Sequence, residues 1–285
     1  MLLSILIATV PPRRKYLNRL LFNLQEQIVI NNLMDKIEII IYEDDFEKSL
    51  GEKRNVLNQT AKGRYVVIID DDDMVSENYC KLICDVIEVK NVDQISIGKR
   101  WYDNLNKKSV PVRISKEKGY YSVNFLNLFF LEETTHNTDL KSHFKLKLGS
   151  IPIMKWDGSG FFKTLFMISF LSLVKRFTIE TTTYTHPVTP IKRDIVNKIK
   201  FSDRPRDQDL EWITEMYEKD LIKTEHIIKE ELYYYYFNKN MSINRGKRGV
   251  MSEDEKKKKM KEVNDITNDI DKELYQIDKI NIKWI

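Results

Sequence analysis

The sequence has too few cysteines to build a zinc site. Only Cys80 and Cys84 occur among 285 residues, four apart in a segment with helical spacing. No combination of cysteine and histidine elsewhere completes a set of zinc ligands. We therefore interpret both cysteines as buried reduced thiols, which are typical of a reducing compartment and predict a cytoplasmic protein.

Long hydrophobic runs and a strong charge excess are missing as well. The longest uncharged apolar run after the N-terminus covers residues 165–174, far short of the roughly 20 residues of a membrane span. Basic residues follow the first apolar run, which is the reverse of a secretory signal. The net charge of +4 gives no sign of nucleic-acid binding. We expect a soluble protein with no transmembrane segment and no nucleic-acid partner, although the Lys256–Lys259 run could contact a membrane surface.

Three apolar runs in the first quarter predict the strands of a parallel sheet. They cover residues 2–10, 36–43 and 64–70 and are continuous, as expected for strands that are buried on both faces. Segments with helical spacing separate them, and this order is the signature of an α/β unit. Ser76 is predicted to cap a following helix that ends near Val89.

Polar residues lie at the carboxyl end of each predicted strand and in the loop after it. The first strand leads to Thr9, Arg13 and Arg14, and the second to an acidic run that begins at Glu43 and Asp44. The third enters four consecutive aspartates, residues 70–73. Ligands gather at the carboxyl ends of the strands in open α/β sheets. The three loops therefore predict one binding crevice.

The four aspartates need an explanation because adjacent like charges repel one another. A divalent cation, buried basic partners or solvation on an exposed loop could each provide one. Mg²⁺ and Mn²⁺ prefer oxygen ligands, and Mg²⁺ often takes one or two carboxylates while substrate phosphates and water complete its shell. Asp70 and Asp72 could supply that partial shell. The metal would neutralise a nucleotide diphosphate as a leaving group.

The last third of the chain predicts a helix, a strand and a tail. Residues 207–217 read DQDLEWITEMY, with acids in the first turn of the predicted helix, and residues 232–238 predict a strand. An apolar stripe from Met260 to Ile277 predicts an amphipathic tail helix, which would either pack on the body or form a homodimer.

Taken in order, these segments resemble a family 2 glycosyltransferase of the GT-A fold. The family's first strand and arginine loop correspond to SILIATVPPRRKYL, and its second strand, which ends in a uracil-contacting acid, corresponds to IEIIIYEDD. The strand that leads into the family's Asp-x-Asp motif corresponds to the end of GEKRNVLNQTAKGRYVVIIDDDD. Residues 184–237 resemble the acceptor-side block of bacterial, phage and large-virus sugar transferases. Two departures stand out: Gln208 precedes Asp209 where a Glu-Asp pair is usual, and two prolines in the arginine loop leave the choice between Arg13 and Arg14 open.

The resemblance implies a mixed sheet flanked by helices, with a C-terminal helical extension. Residues 1–237 would form one GT-A domain, whose nucleotide-sugar-binding half is 1–97 and whose acceptor-side half is 98–237. Residues 238–285 would be a charged linker and the helical tail. This division follows from the resemblance together with the change of composition after residue 237.

The resemblance also implies a role for each site residue. Asp72 would be the most direct metal ligand, with Asp70 supporting it, and Asp209 would be the general base, with Asp207 as the alternative. His186 would touch the diphosphate or the metal, or else be a structural histidine. The residues implied at the nucleotide are Thr9, Arg13, Arg14, Glu43, Asp44, Arg54 and Asp71.

The implied reaction is an inverting, Mn²⁺- or Mg²⁺-dependent transfer of a sugar from a nucleotide sugar, with a UDP-sugar as the expected donor, to a hydroxyl of a glycan or other acceptor. A metal-dependent phosphatase could use the same aspartates, although Met74 stands where that class has Thr or Val and no Gly-Asp follows. A nucleotidyltransferase would keep the metal site but not need Asp209 as a base. A non-catalytic module that binds nucleotide sugars is the third alternative, and Gln208 is its main support.

Overall fold

The computed structural model describes residues 1–103, 108–116, 120–124, 129–134, 143–148, 151–156, 178–183, 185–204, 208–237 and 280–285. Its helices are α1 (Arg14–Ile30), α2 (Leu50–Thr60), α3 (Tyr79–Val89), α4 (Arg193–Val196) and α5 (Gln208–Glu218), and a 3-10 turn over Pro11–Arg13 precedes α1. Its strands are β1 (Leu3–Thr9), β2 (Ile37–Glu43), β3 (Tyr65–Ile68), β4 (Met74–Val75), β5 (Gln94–Asp103), β6 (Lys108–Ile114), β7 (Tyr120–Asn124), β8 (Phe129–Thr134), β9 (His143–Leu148), β10 (Ile151–Trp156), β11 (Thr178–Thr183), β12 (Ile191–Lys192), β13 (Glu225–Phe237) and β14 (Asn281–Trp284).

The predicted parallel unit is confirmed, because β1 pairs in parallel with both β2 and β3. Helices cover both faces of these strands. Ile5 and Ile39 lie in a buried cluster with residues of α1 and α3. Leu6 and Ile40, one position along each strand, lie in a second cluster with residues of α2, α4 and α5. Alternate side chains of a strand point to opposite faces, so the continuous apolar runs supply both clusters at once.

The sheet extends on both sides of this unit. Its order is β10-β9-β8-β7-β11-β6-β5-β12-β3-β1-β2-β14, and β13 pairs in parallel with β5 and antiparallel with β4. The predicted strand at residues 232–238 is thus the end of the longer β13. The strand β14 pairs in parallel with β2, with Asn281 opposite Glu38 and Trp284 opposite Ile41. The predicted tail helix lies outside the described residues, and the homodimer that would use it stays a prediction.

The predicted cap of α3 is wrong. The helix begins at Tyr79 and its N-cap is Asn78, without a side-chain capping bond. Ser76 instead donates its backbone N–H to the carbonyl of Leu232 in β13 (3.0 Å). The pairing of β4 with β13 continues into this residue, and the N-cap lies two positions further along the chain.

The two cysteines lie on α3, and both are free and buried, as predicted. Burial raises the pKa of the Cys84 thiol to about 12 and that of Cys80 well above its ordinary value. Both are therefore unreactive neutral thiols at pH 7. No helix in the described part of the chain combines the length and the apolar character that crossing a membrane requires.

Candidate functional site

The loops after β1 and β3 are joined by direct side-chain contacts. Thr9, the last residue of β1, donates its hydroxyl to a carboxylate oxygen of Asp71 (2.6 Å). The 3-10 turn that follows β1 carries Arg13, whose Nη2 lies 2.8 Å from Asp71 and also pairs with Asp72. The predicted convergence of these two loops is therefore present, and Arg13 rather than Arg14 is the arginine at the aspartates.

Each of the four aspartates has a partner. Asp70 pairs with Nη2 of Arg54 (3.2 Å), while Asp71 and Asp72 share Arg13. Asp73 accepts a hydrogen bond from the Tyr233 hydroxyl (2.6 Å) and another from a backbone N–H of β13 (2.9 Å). Buried basic partners, one of the three explanations that the sequence allowed, are therefore present in Arg13 and Arg54.

Burial shapes the ionisation of this cluster. It raises the pKa of Asp71 to about 7, with Arg13 opposing the effect, and it also raises the pKa of Asp72. The pKa of Asp73 lies well above its ordinary value because of burial and the neighbouring acids Asp72 and Asp70. Although burial lowers the pKa of Arg13, the charges of Asp71, Asp72 and Asp70 and a hydrogen bond to Asp72 together raise it above its ordinary value. Arg13 therefore stays charged and compensates the buried Asp71 together with Asp72.

Arg54 connects the aspartates to the predicted base. It lies on α2, which begins with a capping box formed by Ser49 and Glu52, and its side chain is only 3% exposed. One nitrogen of its guanidinium pairs with Asp70 and another with Asp209, while its face packs on Phe201 (5.2 Å to the ring centroid). The buried side chain of Arg54 thus contacts both Asp70, which the resemblance implies as a metal ligand, and Asp209, which it implies as the general base.

The next residue of α2 fixes the chain that leads into α5. Asn55 donates its amide to the carbonyl of Phe201 (2.9 Å) and accepts the N–H of the same residue (2.9 Å). Trp212 of α5 stacks on the Phe201 ring (5.3 Å between centroids) and is only 2% exposed. Trp212 is therefore a core residue and does not present a face to a sugar.

The acidic residues at the end of β2 and directly after it are held by two further cations. Glu43 takes a bidentate contact from Arg14 (2.9 Å from Nε), whose side chain is 62% exposed. Asp44 pairs with the buried Lys53, which also donates to the carbonyl oxygen of Thr9 (3.1 Å). Lys53 was not foreseen from the sequence, and its position directly before Arg54 in GEKRN was the available signal.

The helix α5 places the candidate base at its first turn. Asp209 is partly exposed at this helix start, where it meets Arg54. The preceding Gln208 is buried, and its Oε1 has no hydrogen-bond partner among the described residues. Asp207, the alternative base, lies outside the described residues.

His186 lies beside the end of β3, because Ile68 donates its N–H to the carbonyl of Pro187 (3.0 Å). Its Nδ1 accepts the N–H of Val188 (3.4 Å). Burial lowers the pKa of His186 to about 3, and the charges of Lys99 and Arg54 add to the effect. The imidazole is therefore neutral at pH 7.

We expect His186→Gln to remove part of the acid sensitivity of the fold. The neutral imidazole stabilises the native state fully above its unfolded pKa of 6.5, and this contribution is lost as the pH falls from there towards about 3. The unfolding free energy of the wild type should therefore fall relative to the variant by up to about 1.4 kcal/mol per pH unit below that value. Urea denaturation at several pH values measures this difference, and a difference independent of pH would contradict it.

The residues predicted to bind a metal have suitable chemistry for it. The side chains of Asp70 and Asp72 are 34% and 25% exposed, whereas Asp71 and Asp73 are buried. Within the described residues, no group of three or more histidine, cysteine, aspartate or glutamate side chains is placed to hold a metal. Two accessible carboxylates completed by substrate phosphates are a donor set that Mg²⁺ accepts. Asp70 and Asp72 therefore fit a metal ion whose remaining ligands would include a bound diphosphate.

Comparisons with known proteins give a fold but no family. No protein-family model matches this chain, and no curated protein matches it either. The crystal structure of S. aureus TarS 1-349 in complex with UDP-GlcNAc is similar, with a TM-score of 0.51 and 15% identity over 96% of this chain and 68% of that one. The structures of TarS 1-349 alone and in complex with UDP have TM-scores of 0.48, again at 15% identity, over 83% and 84% of this chain. This chain spans 60%, 68% and 61% of the three TarS chains.

The similarity to the UDP-GlcNAc complex confirms the predicted fold class. The protein has a GT-A-like fold, a mixed α/β sheet flanked by helices. Membership of family 2 and the likeness to phage and large-virus enzymes stay predictions, as do the domain division and the roles of the site residues.

Proposed function

We propose that the protein is a glycosyltransferase that moves a sugar from a nucleotide sugar, specifically a UDP-sugar, to a hydroxyl of a glycan or another acceptor. The observation that carries the proposal is the bridge formed by Arg54 between Asp70 and Asp209. It brings a donor-side acid and a candidate base within the reach of one side chain, in a GT-A-like fold. TarS, with which this chain shares that fold, was crystallised with UDP-GlcNAc and with UDP.

In this proposal the loops after β1 and β2 bind the nucleotide. Glu43 or Asp44 accepts a hydrogen bond from the uracil imide, and Arg13 lies beside the diphosphate. Thr9 and Asp71 are bonded to each other and line the ribose side of the site. His186, neutral at pH 7, faces the diphosphate as a hydrogen-bonding group.

The reaction itself needs one base on the face opposite the leaving group. Asp209 takes the proton of the acceptor hydroxyl as that oxygen attacks the anomeric carbon, so a single displacement inverts the configuration there. Arg54 orients the carboxylate of Asp209 through their ion pair. Asp70 and Asp72 would hold Mn²⁺ or Mg²⁺ together with the diphosphate, and the metal would supply positive charge to the leaving group.

The donor site is tested by thermal unfolding with Mn²⁺ and a panel of nucleotides, on the wild type and on Asp72→Ala. Saturating UDP or a UDP-sugar with Mn²⁺ is expected to raise the melting temperature of the wild type, on the order of 5 °C at a hundredfold excess over Kd. The rise should disappear in Asp72→Ala. Asp85→Ala, an exposed aspartate on α3 that pairs with Lys81, is the matched control and should keep it.

The outcomes separate the alternatives. If no nucleotide stabilises the wild type with Mn²⁺ present, the transferase proposal fails and hydrolysis of phosphate esters becomes the next assay. If the protein binds UDP but does not release UDP from a UDP-sugar with any acceptor in a panel of glycans, it is a binding module. Stabilisation by another nucleotide would keep the proposed reaction and change its donor.

A further inference from the structure

Lys99 on β5 is a cation of the site that the sequence reasoning missed. Arg13, Arg14, Lys53 and Arg54 each have a carboxylate within ion-pair distance. Lys99 has none among the described residues, although it is largely buried beside the acidic cluster. Its charge is therefore available to an anion that enters the site.

Two tyrosines hold the ammonium group of Lys99 in place. Its Nζ lies 4.5 Å from the ring centroid of Tyr235 and 5.9 Å from that of Tyr233. Tyr233 stands opposite Lys99 in the pairing of β5 with β13, and its hydroxyl is tied to Asp73 (2.6 Å). Contact with aromatic faces orients a cation without neutralising it. The ammonium is thus positioned while its charge remains unpaired.

Lys99 interacts electrostatically with acids on both the donor side and the base side of the proposed site. Burial lowers its pKa, and the charges of Asp73, Asp70 and Asp209 oppose that effect. Its own charge in turn helps to lower the pKa of His186. Lys99 therefore interacts electrostatically with Asp70, which follows β3, and with Asp209 at the start of α5. In the proposed function the first of these acids serves the leaving group and the second serves the acceptor.

We propose that Lys99 binds the phosphate that carries the sugar in the donor and stabilises it as it leaves. The inference rests on the proposed function. In the step it assists, the acceptor oxygen bonds to the anomeric carbon, and its proton passes to Asp209. The bond from that carbon to the phosphate oxygen breaks, and its electron pair stays on the phosphate. A preorganised ammonium in a buried site stabilises the negative charge that develops there.

Calorimetric titration of UDP and UMP, both with Mn²⁺, tests the inference because UMP lacks the distal phosphate. We expect Lys99→Met to weaken UDP binding by about tenfold or more, and to change UMP binding by less than about threefold. Lys99→Arg keeps the charge and should retain most of the preference for UDP. Lys81→Met, an exposed lysine on α3, makes the same change of charge outside the site and should leave both affinities unchanged.

Melting curves of each variant show whether it folds, and Lys99→Gln takes the place of Lys99→Met if the latter does not. Unchanged UDP affinity in the folded variant would overturn the inference and leave the proposed function standing. An equal loss for UDP and UMP would also overturn it, since Lys99 would then act through the nucleoside or the fold. Failure of the wild type to bind UDP would instead refute the UDP-sugar donor of the proposed function, and failure to bind any nucleotide would refute the proposed function itself.

Discussion

Asp209→Asn is expected to lower kcat for sugar transfer by about 100- to 10,000-fold, the range that a positioned general base contributes. The amide has nearly the shape of the carboxylate but cannot accept the proton of the acceptor hydroxyl. UDP affinity should change less than about threefold, because Arg54 keeps its contact with Asp70. Release of UDP from the donor, measured with and without acceptor, and calorimetric titration of UDP provide the two readouts.

Asp203→Asn is the matched control for this variant. Asp203 is exposed in the segment that precedes α5, so the same change of charge there should leave kcat within about twofold of the wild type. A full rate in Asp209→Asn would refute the assignment of the base. Asp207 would then be the next carboxylate to replace.

Arg13→Met is expected to lower the unfolding free energy by about 3 to 5 kcal/mol at pH 8, because it leaves buried Asp71 without its cation. The loss should be smaller at low pH. Burial raises the pKa of Asp71 from 3.8 to about 7 in the native protein, so its contribution to stability is complete below 3.8 and falls as the pH rises towards 7. Arg13 lowers this pKa, and without the arginine the fall continues to higher pH.

Urea denaturation of both proteins between pH 5 and pH 9 measures this growing difference. Arg14→Met is the comparison, since Arg14 is the neighbouring arginine but is 62% exposed and pairs with Glu43. An exposed pair of this kind contributes about 1 kcal/mol or less. A cost for Arg13→Met that equals that of Arg14→Met, or that shrinks as the pH rises, would contradict the assignment of Arg13 to the buried acids.

The first three strands and the acids after them could be predicted because the signal is local. Continuous β-branched runs at Leu3–Thr9, Ile37–Glu43 and Tyr65–Ile68 identify buried strands without knowledge of their partners. The carboxyl ends of parallel strands in one sheet lie at the same edge of that sheet. The meeting of Asp71 with Thr9 therefore follows from the order of the strands alone.

The remaining features depend on pairings that no local pattern contains. The choice of Arg13 over Arg14 follows from the 3-10 turn that points one arginine at Asp71 and leaves the other beside Glu43. Lys99 reaches the site because β5 pairs with β13, whose tyrosines come from a distant part of the chain. Serine is a residue type that often caps helices, but the backbone hydrogen bond of Ser76 to Leu232 decides its conformation.

The strand β14 makes the order of synthesis matter for this sheet. A ribosome completes β2 long before it reaches Asn281–Trp284, the segment that pairs with β2 along its outer side. Until then no other strand of the described residues lies beside the backbone donors and acceptors of Ile39 and Ile41 on that side, and such an edge readily recruits strands from other chains. Shortened versions of the protein that end before β14 would keep this edge open permanently, so self-association is the hazard to expect when the chain is truncated.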